Sequence, residues 1–203
     1  MQVVLPDIEN LTAARVETER PMTDDEFWDF CVRLPRNLRV EREPNGEIVI
    51  MPPAGGESSN RNSEICRQLG NWSLTDGRGT TFDSNTDFIL PNGAARSPDA
   101  AWMNKSRLSR LTKQQKRQFL QLCPDFIVEL KSPSDRLPRL KAKMEEWIEN
   151  GAQLAWLIDA DERTLYVYRP GQAPEERRDI QTLAGEGPVA GFVLELTAIW
   201  EGL

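Results

Sequence analysis

The 203-residue chain contains no histidine. That absence removes every mechanism resting on an imidazole: Ser-His-Asp triads, Cys-His dyads, histidine-ligated zinc and nucleases with a histidine base. Cysteine is scarce too. Cys31, Cys66 and Cys123 are odd in number, far apart and without a C-x-x-C pair, so neither a disulfide framework nor a zinc knuckle is expected. No apolar run approaches the roughly 18 residues that cross a bilayer. The first twenty residues lack the basic start and apolar stretch of a signal peptide. A soluble, cytosolic protein is the expectation. There is no internal repeat, no low-complexity tract and no G-x-x-x-x-G-K-[ST] phosphate loop. Chemistry must therefore come from carboxylates, lysines, hydroxyls and a bound ion.

What is present reads as a globular chain, 39% hydrophobic and 28% charged. The length fits one domain with a real core. Residues 1–20 read as weakly structured and 21–203 as that domain. The net charge of −7 speaks against a phosphate-bearing partner. Its distribution softens this, because the stretch between Asn104 and Pro124 holds Lys105, Arg107, Arg110, Lys113, Lys116 and Arg117 and no acid. That stretch is either a face for a phosphate backbone or a solvated helix surface.

Thr23-x-x-Glu26 is a capping box that opens a helix to about Arg33. Leu38 and Val40 alternate with polar residues, Asn45-Gly46 supplies a tight turn, and Ile48 to Met51 returns, which predicts a hairpin. The loop from Pro52 to Gly56 could serve as a flap. A helix is predicted over about Ser59 to Leu74, with Ile65, Leu69 and Trp72 as its stripe. Short strands are predicted over Thr80–Ser84, Asp87–Leu90 and Pro98–Met103. A helix capped by Thr112 is expected to run to Leu122. A strand from Phe126 to Lys131, an amphipathic helix from Arg136 to Asn150, and strands over Gln153–Asp159, Thr164–Tyr168 and Phe192–Leu196 precede a short terminal helix. The order predicts an α/β protein with one mixed sheet flanked by helices. Most of the tryptophans fall at core positions.

Side chains alternate across a strand, so Phe126, Val128 and Leu130 share one face, and Ile127, Glu129 and Lys131 the other. A carboxylate and an ammonium in an apolar strand are costly to bury unless they are paired or bind an ion. Asp99 opens a small apolar strand. If the two strands pair, Asp99 lies beside Glu129. Two carboxylates and a main-chain carbonyl, that of Leu130, are hard oxygen ligands suited to Mg²⁺, with Mn²⁺ a substitute. Such an ion activates water and offsets charge on a phosphate, and Lys131 would support that role. The competing reading is a cross-strand ion pair on a solvated strand. Ser132 and Ser134 lie nearby without a general base.

The ordered set Ser97-Pro98-Asp99-Ala100-Ala101-Trp102, Pro124-Asp125-Phe126-Ile127-Val128-Glu129-Leu130-Lys131-Ser132-Pro133-Ser134-Asp135, Lys143, Trp147, Gly151 and Trp156-Leu157-Ile158-Asp159 resembles the Uma-two family. Met51-Pro52-Pro53 and Gly93 extend the likeness, which runs from about Thr23 to Trp200. The family belongs to the PD-(D/E)xK nucleases. The resemblance implies a restriction-endonuclease-like core, divalent-metal dependence and DNA cleavage. It places the superfamily's aspartate on Asp99, its glutamate on Glu129 and its lysine on Lys131. A further helix-borne acid would fall on Glu64, with Glu57 as the rival and plain helix solvation as the alternative. Lys143 matches a family lysine, to reach phosphate or to pair with a carboxylate. Many members carry a histidine in the early helix, which this chain lacks, and many have an apolar residue where Lys131 stands.

Two functions follow as expectations. One is a Mg²⁺-dependent endonuclease acting on DNA, as a homodimer if both strands are cut. The other is a binding or assembly module that keeps the nuclease fold without turnover.

Overall fold

The Thr23 signal closes into a reciprocal cap: its hydroxyl accepts from the Glu26 N–H while the Glu26 carboxylate accepts from the Thr23 N–H. It opens α1 (Asp24–Arg33), which buries Phe27. The computed structural model describes residues 14–35, 38–51 and 53–203. Pro52 and residues 1–13 lie outside that range. Ala14–Val16, within the segment expected to be weakly structured, forms strand β1.

The Asn45-Gly46 turn joins β2 (Arg39–Arg42) to β3 (Ile48–Met51), with Gly46 at φ 90°, a conformation costly for any side-chain-bearing residue. With β5 (Phe88–Ile89) and β6 (Ala95–Arg96) they make an antiparallel sheet ordered β1-β3-β2-β6-β5. The hairpin therefore builds a separate small sheet, closed on one side by α1 and by Phe27, Ile48 and Ile50.

The central sheet has six strands in the order β11-β10-β9-β8-β7-β4. They are β4 (Gly79–Asp83), β7 (Ala100–Asn104), β8 (Phe126–Leu130), β9 (Leu154–Asp159), β10 (Thr164–Tyr168) and β11 (Glu175–Arg178). β8 and β9 run parallel, joined by α4 (Leu137–Glu149); the other pairs are antiparallel. The sheet is mixed and flanked by helices, as its pattern predicts. On one face α2 (Gly56–Asp76) sets Ile65 and Leu69 on Ala100, Val128 and Leu130. The segment beyond β11, with β12 (Thr182–Ala184), β13 (Val193–Glu195) and α5 (Thr197–Glu201), completes that layer through Phe192, Leu194, Ile199 and Trp200. On the other face α4 brings Met144 and Trp147 against Ile127, Ala155 and Leu157.

The helix predicted from Thr112 to Leu122 is a correction. The structure has α3 (Lys105–Leu108) and then a single 3-10 turn, Gln115–Arg117. Thr112 stands ahead of that turn, its hydroxyl accepting from the Gln115 N–H, while Gln114 holds the cap position. The chain beyond is drawn away by tertiary contacts: Leu120 bridges Phe88, and Phe119 packs beside Phe27. All three cysteines are free thiols. Among the described residues no helix is long and apolar enough to cross a membrane.

Candidate functional site

The chain leaves the small sheet at Arg96 and enters the central sheet at Ala100, so Ser97-Pro98-Asp99 is the seam between them. Ala100 pairs with Val128 in antiparallel register, which sets Asp99 one step on, level with Glu129 and on the same face. Asp99 Oδ2 accepts the Leu130 N–H at 2.8 Å, and Oδ1 accepts from Arg39 Nη1 at 3.3 Å. Asp99 lies just before β7 rather than within it.

Glu129 is buried, with Ile127 on the α4 face. Lys143 and Trp147 are one helical turn apart on α4, so both reach it. Trp147 Nε1 donates to Glu129 Oε1 at 3.0 Å, and Lys143 Nζ lies 2.9 Å from the same oxygen. Among the described residues no hydrogen-bond donor reaches Oε2 of Glu129. Burial pushes the Glu129 carboxyl up to about 7; Lys143 opposes this, while Asp99 and Glu41 add to it. Lys143 also donates to Glu41 Oε1 at 2.8 Å. Burial acts to lower the Lys143 ammonium, but Glu129 and Glu41 outweigh it and carry the pKa above its ordinary value.

The small sheet supplies the second wall. Glu41 is buried in β2, pairs with Arg96 at 3.4 Å and accepts the Ser97 N–H at 3.3 Å. Burial opposes its charge, yet Lys143 and Arg96 hold the carboxyl below the usual range. Asp87, just before β5, has a buried Oδ1 with no partner among the described residues, and burial followed by the charge of Glu41 pushes its carboxyl up to about 7. Arg39 donates from Nη2 to the Ser97 carbonyl at 2.9 Å, while its buried Nε has no acceptor among the described residues.

The structure thus brings Asp99, Glu129 and Lys143 together with Arg39, Glu41 and Asp87. It does not bring Lys131 to Glu129. Lys131 stands beside Asp159 in the β8–β9 register and donates to its carboxylate at 3.2 Å. The lysine on Glu129 is Lys143. Glu64 is bound to Arg67 and Gln68 on α2, against the opposite sheet face, and Glu57 pairs with Arg61 at 2.9 Å. The basic stretch lies at the far end of β7, where Arg107 pairs with Asp125 at 2.6 Å.

Arg39, Glu41 and Asp87 escape a reading based on β8 and β7 alone. A signal existed: Ile48, Val49 and Ile50 are consecutive apolar residues, so β3 is covered on both faces. Glu41, opposite Val49, then has to be buried as well.

Comparison with known proteins gives one family and a structural neighbour. The model of the Uma2 family, described as "Putative restriction endonuclease", matches residues 24–197. A protein of Anabaena variabilis, whose crystal structure is described as that of "a putative nuclease belonging to DUF820", aligns with a TM-score of 0.71. It is 23% identical, over 89% of this chain and 98% of that one, a likeness of fold. No curated protein matches the chain. The matched model spans the central sheet, the small sheet apart from β1, and every residue of the seam, and by it the chain belongs to the Uma2 family.

Proposed function

We propose that the chain is a divalent-metal-dependent endonuclease that hydrolyses DNA phosphodiester bonds at the seam between its central sheet and the small antiparallel sheet. One observation carries the reading: Asp99, just before β7, lies level with Glu129 on β8, with a half-buried lysine, Lys143, on the glutamate. The metal would be held by Asp99, Glu129 and the Leu130 carbonyl. Among the described residues no cluster of three or more acidic, cysteine or histidine side chains forms a ready cage. Two carboxylates and a carbonyl nevertheless suit Mg²⁺, which retains several waters, and Glu129 Oε2 has no competing donor. When bound, the ion supplies Lewis acidity toward a phosphoryl oxygen and acidifies water.

The remaining roles belong to the chain. The Leu130 N–H and Arg39 fix the Asp99 carboxylate from two sides. Trp147 orients Glu129 by donating to Oε1. Lys143, kept cationic by Glu41 and Glu129, places positive charge where a phosphate gains negative charge. Lys131, engaged by Asp159, supports the β8–β9 edge. Cutting both strands of a duplex calls for two centres, which a pair of chains would supply.

A second reading has its own support. Asp99 and Glu129 each already carry a counter-ion, Arg39 and Lys143, so the polar seam is charge-compensated without metal. A nuclease-fold binding module would have such a seam. Supercoiled plasmid with Mg²⁺ or Mn²⁺ separates the two. The nuclease reading expects nicking by the native protein, lost in Asp99→Ala, Glu129→Gln and Lys143→Ala. Nicking that persists in all three removes this centre. A folded native protein that nicks nothing, and whose melting temperature does not respond to millimolar metal, favours the module.

A further inference from the structure

We infer that Arg39 is a phosphate-binding residue, held on Asp99 until a divalent cation takes that carboxylate, so that metal and phosphodiester bind this seam cooperatively. The inference rests on the metal-dependent reading above.

Arg39 is tied to the Ser97 carbonyl through Nη2 at 2.9 Å, but its hold on a carboxylate is loose. Its contact to Asp99 is 3.3 Å, longer than the ~2.7–2.9 Å of a firm charge-assisted bond, and uses one prong of the guanidinium. Among the described residues its buried Nε–H finds no acceptor. The side chain is 29% exposed, so a ligand reaches it from solvent. Its neighbours differ. Arg96 and Arg42 are buried, with carboxylates at 2.6 Å from Glu146 and Asp24 respectively. Lys143 keeps Glu41 if Glu129 turns to a metal. Arg39 has only Asp99 as a carboxylate partner among the described residues.

A metal and a guanidinium that claim the same carboxylate oppose one another. A phosphodiester removes the conflict. It gives the planar fork two acceptor oxygens, which a guanidinium matches and an ammonium does not. It also brings the negative charge that a second cation in the seam requires. Linkage then makes the effect reciprocal, with each ligand tightening the other.

The test uses Ca²⁺, an oxygen-seeking cation, to read binding in place of cleavage. A short fluorescent DNA duplex is titrated with and without Ca²⁺, and Ca²⁺ binding is followed by calorimetry with and without duplex. The native protein is expected to bind duplex about tenfold more tightly with Ca²⁺. In Arg39→Gln, Ca²⁺ alone should bind about threefold more tightly, because Asp99 is released, while the enhancement for duplex falls to near one. Arg39→Lys keeps the charge without the fork and should fall between the two. A residue that only braced the fold would not move these two quantities in opposite directions. If Arg39→Gln fails to fold in EDTA, the Arg39→Lys comparison decides: enhancement equal to native overturns the inference. Full enhancement in a folded Arg39→Gln does the same. A native protein that binds Ca²⁺ and duplex independently overturns the inference and leaves the metal-dependent reading in place. A native protein that takes up no Ca²⁺ in either titration overturns both.

Discussion

Two buried carboxylates sit at opposite ends of β8, and they are treated differently. Asp125 precedes the strand. Its oxygens accept from the Asn104 N–H at 2.8 Å, from Arg107 at 2.6 Å and from Gln153 at 3.1 Å, so each oxygen has a donor. Glu129 is the last residue but one at the other end. Both of its contacts converge on Oε1, three like or opposite charges crowd it, and burial holds its proton affinity up. The first arrangement is what a structural ion needs: donors that match every acceptor and no competing charge. The second leaves an oxygen without a donor and a carboxyl poised near neutrality, the pattern expected of a working group.

The largest effect that would separate the two ends is on turnover. Glu129→Gln should lower metal-dependent plasmid nicking by at least about 10²-fold, while Asp125→Asn retains nicking per folded molecule. If the two variants lose activity equally, the contrast is false. Stability should invert the order. Asp125→Ala leaves the Arg107 guanidinium and the Asn104 N–H without their acceptor. It should cost about 3 kcal/mol, read as the denaturant midpoint or as a fall of about 6–12 °C in melting temperature. Glu129→Gln keeps Glu41 as partner to Lys143 and should cost clearly less.

Proton linkage sharpens the same contrast. The folded-state carboxyls of Glu129 and Asp87 are raised from 4.5 and 3.8 to about 7. A raised carboxyl stabilises the fold below its unfolded value, and that contribution is lost as pH rises through the folded value. In EDTA, stability should therefore fall between about pH 4.5 and 7 on account of these two groups. Glu129→Gln and Asp87→Asn should each flatten that slope when denaturation midpoints are compared across the window. Unchanged slopes in both would show that the seam does not hold protons as its burial implies.

Much of this architecture was legible because local and global signals agreed. The Thr23 capping box, the Asn45-Gly46 turn and the Leu140, Met144, Trp147 stripe each specify an element that the packing also wants. The parity of β8 was legible for the same reason: Glu129 interrupts an apolar strand, and alternation assigns its face. Two things were not. The Thr112 to Leu122 stretch carries a cap signal and good helix formers, yet Phe119 and Leu120 find the small sheet first. The lysine that contacts Glu129 was hidden by distance. Lys131 is two residues from Glu129 and Lys143 fourteen, but the strand ends at Leu130 and the helix returns Lys143 onto the carboxylate. Sequence proximity did not reveal that contact.

Smaller effects should fall on the lysine that strand parity favours. Lys131→Met removes the cation from Asp159, which is almost wholly buried, and should cost about 1–2 kcal/mol in chemical denaturation. Nicking per folded molecule should stay within about threefold of native, against the loss of roughly 10²-fold expected for Lys143→Ala. The reverse ranking, Lys131 essential and Lys143 dispensable, would return the catalytic lysine to the end of β8.

The smallest effect should come from Glu64. Its carboxylate bonds Arg67 and Gln68 along α2, and the Arg67 hydrogen bond first, then that from Gln68, lowers its pKa against the opposing effect of burial. Exposed pairs of this kind contribute about 0.3–0.5 kcal/mol, so Glu64→Ala should shift stability by no more than that. Because α2 packs on Ala100, Val128 and Leu130, the sheet lies between Glu64 and the Glu129 side chain. Nicking by Glu64→Ala should therefore equal native within about twofold, about 0.4 kcal/mol in barrier. A loss of tenfold or more would mean that the helix face, and not the seam alone, reaches the substrate.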